Sequence, residues 1–512
     1  MPHAVNPILP GFHPDPSICR VGEDYYLVNS SFQYFPGLPI HHSRDLVHWR
    51  PLGHVLDRPG QLPLDGVRPS GGLYAPTVRY AHGRFHVVCT LVDGLRESGT
   101  FVVTAEDPAG PWSDPVWLPE APGFDPDLFV DPATGRTWLL GARPVPGLEP
   151  EGRTEIWARP IDHGSWRFTG EERVLFRGAL VDARWAEGPH LLHRDGWYYL
   201  LLAEGGTEEL HAVTVARSRS LDGPFENCPR NPLLTHRHLG PGQAVTGVGH
   251  ADLVETPDGD WYAVVLGSRP YEGRHTALGR ETFLARVAWA EDGWPVVNPG
   301  VGRLQQLVPV DLPAHPWPAG AEDPSELGPQ WCWVRTPRRR IHRLDPASGV
   351  LRLEAAPVPL AERGSPSFIG RRLQHHRFSA TTTLLGRTPP TAAGRAGLAL
   401  LQDEDHHVLL TVGAGGARAT VRCAGRERVL AELPLRPGPV RLAVRVDGRD
   451  GELLTAQGDE GWRQLAAFDA RVLTTATAGG FTGALVGLHA YGEAGGHADF
   501  AGFHYGGDTT HV

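Results

Sequence analysis

The chain has 512 residues, a formal net charge of -10 from 58 acidic and 48 basic side chains, and a turn-rich composition with 63 glycines and 48 prolines. Every basic residue is arginine, which excludes Schiff-base chemistry, covalently attached pyridoxal phosphate and a lysine-bearing phosphate loop. The acidic balance gives no general reason to expect nucleic acid or an anionic membrane as a partner. Cys19, Cys89, Cys228, Cys332 and Cys423 are odd in number and form no C-x-x-C pair, and no apolar run reaches the ~18 residues of a membrane span. These features lead to the expectation of a soluble cytoplasmic protein with free thiols.

In chain order, one pattern recurs five times. A small or acidic residue opens a few apolar positions, a Gly or Asp turn follows, and then an aromatic-rich strand. The copies are DPSICRVGEDYYLVNSS from Asp15, APTVRYAHGRFHVVCT from Ala75, DPDLFVDPATGRTWLLG from Asp125, EGPHLLHRDGWYYLLLAEGG from Glu187 and ADLVETPDGDWYAVVLGS from Ala251. Each reads as an antiparallel hairpin around a turn such as Gly22-Glu23-Asp24, His82-Gly83 or Asp258-Gly259. The residues between copies leave room for two further strands, and a second signature appears there as SRDLVHW, EDPAGPW and SRSLDGPF. Four strands per unit repeated five times describe a five-bladed β-propeller, expected over residues 1–300. In that architecture the residues opening equivalent inner strands converge on one channel mouth.

Asp15, Asp125 and Glu187 occupy those opening positions, with Pro14, Pro16, Pro126 and Pro189 restricting the backbone beside them. A single Asp-Pro pair is often only a strand start, but three acids in register gather charge that a neutral fold has no structural need for. Carboxylates facing one another across a pocket are the equipment of glycoside hydrolysis. A separation of about 6.5–9.5 Å would admit an attacking water and invert the anomeric centre, while about 5–5.5 Å would imply a covalent intermediate. A third carboxylate near the acid would raise its pKa by like-charge repulsion, a duty for which Asp125 is the candidate.

The runs NPILPGFHPDPSICRVGEDYYLVNSSF, SGGLYAPTVRY, GFDPDLFVD, WAEGPHLL, GHADLVETPDG and GRETFLARV, in this order, resemble glycoside hydrolase family 43, specifically its two-domain β-xylosidases and α-L-arabinofuranosidases. The resemblance covers nearly the whole chain. It implies an inverting mechanism on a five-bladed propeller, with Asp15 as general base, Glu187 as general acid and Asp125 as the residue that tunes and orients the acid. Arg280 matches an arginine that contacts the sugar, with a surface salt bridge as its plainer reading. Phe32 and Tyr74 are expected as pocket walls, and Tyr74 stands where many xylosidases of the family carry Trp. His250 is expected on the channel axis, where the matching residue of several relatives orients a water or a ligand of bound Ca2+. A calcium ion in the channel is therefore a candidate, although the chemistry itself requires no cofactor.

Twenty-six histidines invite a zinc reading at His236-Arg237-His238, His375-His376 and His406-His407, but no H-E-x-x-H helix or Cys/His framework accompanies them. A Pro-rich connector is expected over 301–330, followed over 331–512 by alternating strands that read as a β-sandwich of jelly-roll type. In the resembling enzymes this second domain lends an aromatic loop to the pocket rim, for which Phe500 and Phe503 in HADFAGFHY are the candidates. A pocket closed in that way implies an exo-acting enzyme on small xylo- or arabino-oligosaccharides, and the resemblance also suggests a homo-oligomer, dimer or tetramer. The leading expectation is a β-xylosidase acting on β-1,4-xylooligosaccharides. An α-L-arabinofuranosidase or a bifunctional enzyme is the alternative, and a non-catalytic sugar-binding propeller is the rival from another class.

Overall fold

The computed structural model describes residues 2–95, 98–145, 147, 152–179, 184–240, 242–318, 327–388 and 394–508. Strands dominate it throughout. The first four-stranded sheet runs antiparallel through Ser17–Val21, Asp24–Val28, Gly37–Ser43 and Arg50–Leu56. The equivalent inner hairpins of the next four sheets are Thr77–Ala81 with Arg84–Val92, Phe124–Val130 with Thr137–Pro144, Glu187–Arg194 with Trp197–Glu204, and Thr246–Glu255 with Trp261–Ser268. The turns explain the register. His82-Gly83 and Asp195-Gly196 both take positive φ at two consecutive positions, the geometry of a two-residue hairpin turn whose twist matches the flanking strands, so Ala81 pairs with Arg84 and Arg194 with Trp197.

Five sheets arranged radially make a five-bladed β-propeller, and both faces of the middle strands are covered. Val28, Ile40, Val78, Val87 and Phe101 fill the space between blades one and two, while Leu140, Ile156, Leu200 and Leu202 fill that between blades three and four. Each fully buried aliphatic side chain contributes about 1.5–3 kcal/mol. The ring is fastened at its N-terminus. His3–Val5 pairs with Leu307–Pro309, and the Asn6 amide donates to Leu284 O while accepting from Leu284 N, both at 2.8 Å.

The second domain is a β-sandwich of two antiparallel sheets around one apolar core. One sheet runs from Arg426–Leu433 through Leu485–Tyr491 and Phe368–Arg372 to Trp331–Val334. It does not end there: Trp333 and Val334 pair with Phe35 and Tyr34 of the propeller, so a loop of blade one supplies the sandwich's last strand. That shared sheet, together with the bond from Tyr34 Oη to Gly483 O at 3.0 Å, ties the two domains together beside the channel mouth. Of the Pro-rich connector, residues 319–326 lie outside the described residues. Before them Trp317 donates its indole N–H to His48 O and lies under the Arg50 guanidinium.

Candidate active site

Four inner strands open on the same backbone device. Asp15, Asp125, Gly188 and His250 all have positive φ, between 46° and 54°, at equivalent places in blades one, three, four and five. In blades three, four and five the ladder skips there, with register shifts between Phe124 and Asp127, Glu187 and His190, and Gly249 and Ala251. A bulge of this kind bends the strand and re-aims a side chain. Left-handed backbone costs about 1–2 kcal/mol for a residue with a Cβ, and Asp tolerates it better than most. At Gly188 a side chain is excluded outright, because a Cβ would lie 2.7 Å from the His250 ring.

The three acids meet in one pocket with opposite protonation preferences. Burial alone would raise the Asp15 carboxyl, but Arg280, His250 and Ser30 together hold it below its ordinary value. The Arg280 fork reaches Asp15 Oδ1 at 2.8 Å and Oδ2 at 3.4 Å, and Ser30 Oγ donates to Oδ2 at 2.5 Å. Asp125 is pushed up to about 8, first by burial and then by the Asp15 charge, while accepting the Gly188 N–H at 3.2 Å. Glu187 is raised well above its ordinary value by burial, then by Asp125, then by Asp15. The like-charge effect expected from Asp125 on Glu187 is therefore present, but burial outranks it. Arg280 is no surface salt bridge: it is buried, and its Nη1 also donates to Thr207 Oγ1 at 2.9 Å.

Phe32 and Tyr74 pack together as one wall with ring centroids 5.2 Å apart, and Phe124 meets Tyr74 at 6.4 Å. Phe500 and Phe503 do not reach this wall. Phe500 pairs with Leu351 and Leu384 in the sandwich core, and the Phe503 ring meets Trp331 at a tilt of 55°, with centroids 4.8 Å apart. The two-residue period of the strand His497–Gly507 turns Ala498 and Phe500 into that core, away from the propeller. The aromatic that the second domain does lend is Phe481, 38% exposed, with its ring 6.1 Å from Phe32 and the Arg280 guanidinium 5.7 Å above it. Phe481 N donates to Ser70 Oγ at 2.8 Å, and Gln402 Nε2 anchors Thr482 O at 2.8 Å, so both domains hold the loop. Its sequence, Gly479-Gly480-Phe481-Thr482-Gly483, carries the glycine punctuation of a tight loop presenting one aromatic, a signal that was available to sequence reading. Phe481→Ala is expected to raise KM roughly threefold to tenfold with little change in kcat, the scale of one lost stacking face, as steady-state kinetics would record.

Beneath the acids lies a second polar layer that the sequence did not announce. Arg79 Nη2 faces Asp127 Oδ1 at 3.0 Å and His190 Nδ1 at 3.0 Å, and its Nη1 faces Asp252 Oδ2 at 2.8 Å and Ser17 Oγ at 3.3 Å. One guanidinium thus touches the inner strands of all the other blades. Asp127 is wholly buried and Asp252 nearly so. Arg79→Met would leave two buried carboxylates without their cation, so a loss of about 3 kcal/mol is expected in urea unfolding.

This layer also bears on calcium, which takes six to eight oxygen ligands. The axial carboxylates Asp127 and Asp252 are committed to Arg79, and Asp15 to Arg280. The His250 Nε2 atom is buried without a hydrogen-bond partner, and burial first holds the ring neutral at about 3. One imidazole nitrogen suits an ordered water, not an oxygen cage, and the described residues contain no cluster of three His, Cys, Asp or Glu able to hold a metal. The residues at the axis do not fit a calcium ion. His236, His375, His376, His406 and His407 are likewise spent on neighbours such as Val245 O, Tyr505 Oη, Arg269 O, Asp403 Oδ1 and Asp403 O.

A propeller mouth holding one ionised carboxylate and a coupled carboxyl pair that retains a proton, under an aromatic wall, is the site of a glycosidase, an enzyme hydrolysing O-glycosyl bonds. The family model for glycosyl hydrolases family 43 matches residues 4–295, that for the beta xylosidase C-terminal Concanavalin A-like domain matches 323–506, and the chain belongs to glycoside hydrolase family 43. It is 42% identical over 501 residues to a xylosidase/arabinosidase of Butyrivibrio fibrisolvens, covering 95% of each chain. It is 38% identical over 503 residues to a non-reducing end alpha-L-arabinofuranosidase of Bacteroides ovatus, covering 95% of this chain and 91% of that one. Among solved structures, a xylan beta-1,4-xylosidase from Bacillus halodurans superposes with a TM-score of 0.91 at 36% identity, over 98% of this chain and 99% of that one.

Proposed function

We propose that this glycosidase is exo-acting and inverting, that it releases xylose from the non-reducing ends of β-1,4-xylooligosaccharides, and that α-L-arabinofuranosides are its second substrate class. The observation that carries the reading is the split in protonation: Asp15 kept ionised by Arg280, Glu187 kept protonated by burial and by Asp125. Glu187 gives its proton to the glycosidic oxygen as the bond to the anomeric carbon breaks. Asp15 takes a proton from the water that attacks the same carbon from the opposite face, so the sugar leaves with inverted configuration. The proton balance is restored through solvent, since Glu187 ends ionised and Asp15 protonated. Arg280 keeps the base charged and oriented, Asp125 keeps the acid from ionising early, and Phe32, Tyr74 and Phe481 offer apolar faces to one pentose.

Exo action is supported by the Phe481 loop, which closes one side of the mouth. The arabinoside reading is supported by the names of the similar proteins, which join both activities. A cytoplasmic setting is supported by five thiols that remain free, four of them buried. The test is turnover of p-nitrophenyl β-D-xylopyranoside and α-L-arabinofuranoside side by side, with xylobiose hydrolysis followed by proton NMR. Faster xyloside turnover releasing α-xylose first supports the proposal. Arabinoside-only turnover reverses the preference, and β-xylose as the first product rules out inversion.

A further inference from the structure

Among the described residues, three arginines are less than a tenth exposed: Arg280, Arg335 and Arg372. The first two are balanced. Arg280 faces Asp15, and Arg335 pairs with Glu404 while donating to Val67 O at 2.7 Å and Gly364 O at 3.0 Å. Arg372 is 6% exposed, and its Nε and Nη2 have no hydrogen-bond partner. No carboxylate of the described residues forms an ion pair with it. A buried guanidinium in that condition is strongly unfavourable unless something negative joins it.

The place for that partner is present. Arg372 ends the strand Phe368–Arg372 and lines a cavity of about 550 Å³ between the domains, whose other walls include His13, His41, Trp49, Trp317 and Gln374. Pro51, Pro316 and Pro329 at its edge are exposed, so the cavity opens to solvent. His41 Nδ1 and His54 Nε2 are also buried without partners. Burial first, and the Arg372 charge second, hold His13, His41 and His54 neutral, with His41 at about 3. Each neutral imidazole still carries one N–H to donate. His13 spends its N–H on Pro10 O at 3.2 Å, but the Arg372 Nε and Nη2, the His41 Nδ1 and the His54 Nε2 have no partner, the local field is positive and the volume exceeds what a phosphate needs.

We propose that this interdomain cavity is a binding site for a small oxyanion, held by the Arg372 fork and by imidazole N–H groups beside it. A guanidinium matches two oxygens of a phosphate or of a carboxylate equally well, so inorganic phosphate and a sugar acid share the required chemistry. The lining of this cavity is connected along the chain to both sides of the glycosidic pocket. His13 precedes Asp15 by two residues, and Arg372 pairs with Leu485, just beyond the loop that carries Phe481.

Crystals of the full chain soaked in sodium selenate provide the direct test, since selenium scatters anomalously. An anomalous peak within hydrogen-bond distance of Arg372 is expected. Density showing only water there, selenate only on exposed arginines, or an acid from residues 319–326 seated on Arg372 would overturn the proposal. In parallel, thermal unfolding at constant ionic strength with inorganic phosphate or with glucuronate should give a saturable Tm rise of about 3 °C or more that Arg372→Met abolishes. A response to phosphate alone identifies an inorganic ligand, and a response to glucuronate identifies the sugar acid. An equal rise in both proteins refutes the site. The selenate experiment uses the unaltered chain and stands even where Arg372→Met fails to fold.

Discussion

Asp15→Asn is expected to lower kcat/KM on the aryl xyloside by about 10³-fold or more, because an amide cannot take a proton from the attacking water. The variant is nearly isosteric, so Ser30 and Arg280 keep a partner of the same shape at distances of 2.5 and 2.8 Å. Removing the charge has a second consequence. Asp15 is one of the groups that raise both Asp125 and Glu187, so in the variant those two should ionise at lower pH. The pH dependence of residual activity therefore separates loss of the base from misfolding: the alkaline limb should move to lower pH while near-ultraviolet circular dichroism stays unchanged. An Asp15→Asn protein with more than a tenth of wild-type activity would remove Asp15 from the mechanism.

Glu187→Gln is expected to cost an amount that depends on the leaving group. Xylobiose leaves as a sugar alkoxide and needs the proton, so a loss of about 10²–10⁴-fold is expected. A nitrophenolate leaves with little help, so the aryl glycoside should lose much less. Equal losses on both substrates would contradict the role. In the wild-type protein kcat/KM should be bell-shaped, rising as Asp15 ionises and falling as the Glu187–Asp125 pair gives up its proton, with the alkaline limb belonging to the pair. Stability follows from the same shifts. Glu187 retains its proton in the folded chain above the ~4.3 at which the unfolded chain loses it, so the folded state binds more protons and loses stability as pH climbs toward the raised value. Glu187→Gln removes that penalty, and its Tm should exceed the wild-type value increasingly between mildly acidic and mildly alkaline pH. An activity-dead variant that is also more stable would mark Glu187 as a group held in the fold at a cost.

How much of this was legible in the sequence depends on the range of the interactions concerned. The five hairpins, their turns and the strand-opening acids were readable because each is set within about twenty residues by alternation, by β-branched and aromatic content and by Gly or Asp at positive-φ positions. His82-Gly83 and Asp195-Gly196 show this directly. A repeat of a local unit then implies a ring, and a ring brings its opening residues together, so Asp15 and Asp125 emerged from sequence logic and family resemblance alike, whereas Glu187 stands one residue before Gly188, which holds the equivalent position in blade four.

What the sequence missed lies in contacts between segments far apart along the chain. Phe500 and Phe481 are both aromatics in the second domain, and only the sheet register of the sandwich, with the docking of Phe481 N on Ser70, decides which one faces the pocket. No local pattern singles out Arg79, and closure of the ring is what places it against Asp127, His190 and Asp252. The same closure neutralised the carboxylates that a calcium ion would have needed. The unpaired charge of Arg372 became visible only once the domains were packed together. The blade unit, its repetition and the residue types at the mouth rest on local conformational preference and are therefore written along the chain. Partnership, burial and protonation arise only in the packed fold, because electrostatic energy depends on which distant groups share a low-dielectric space and no local pattern records that.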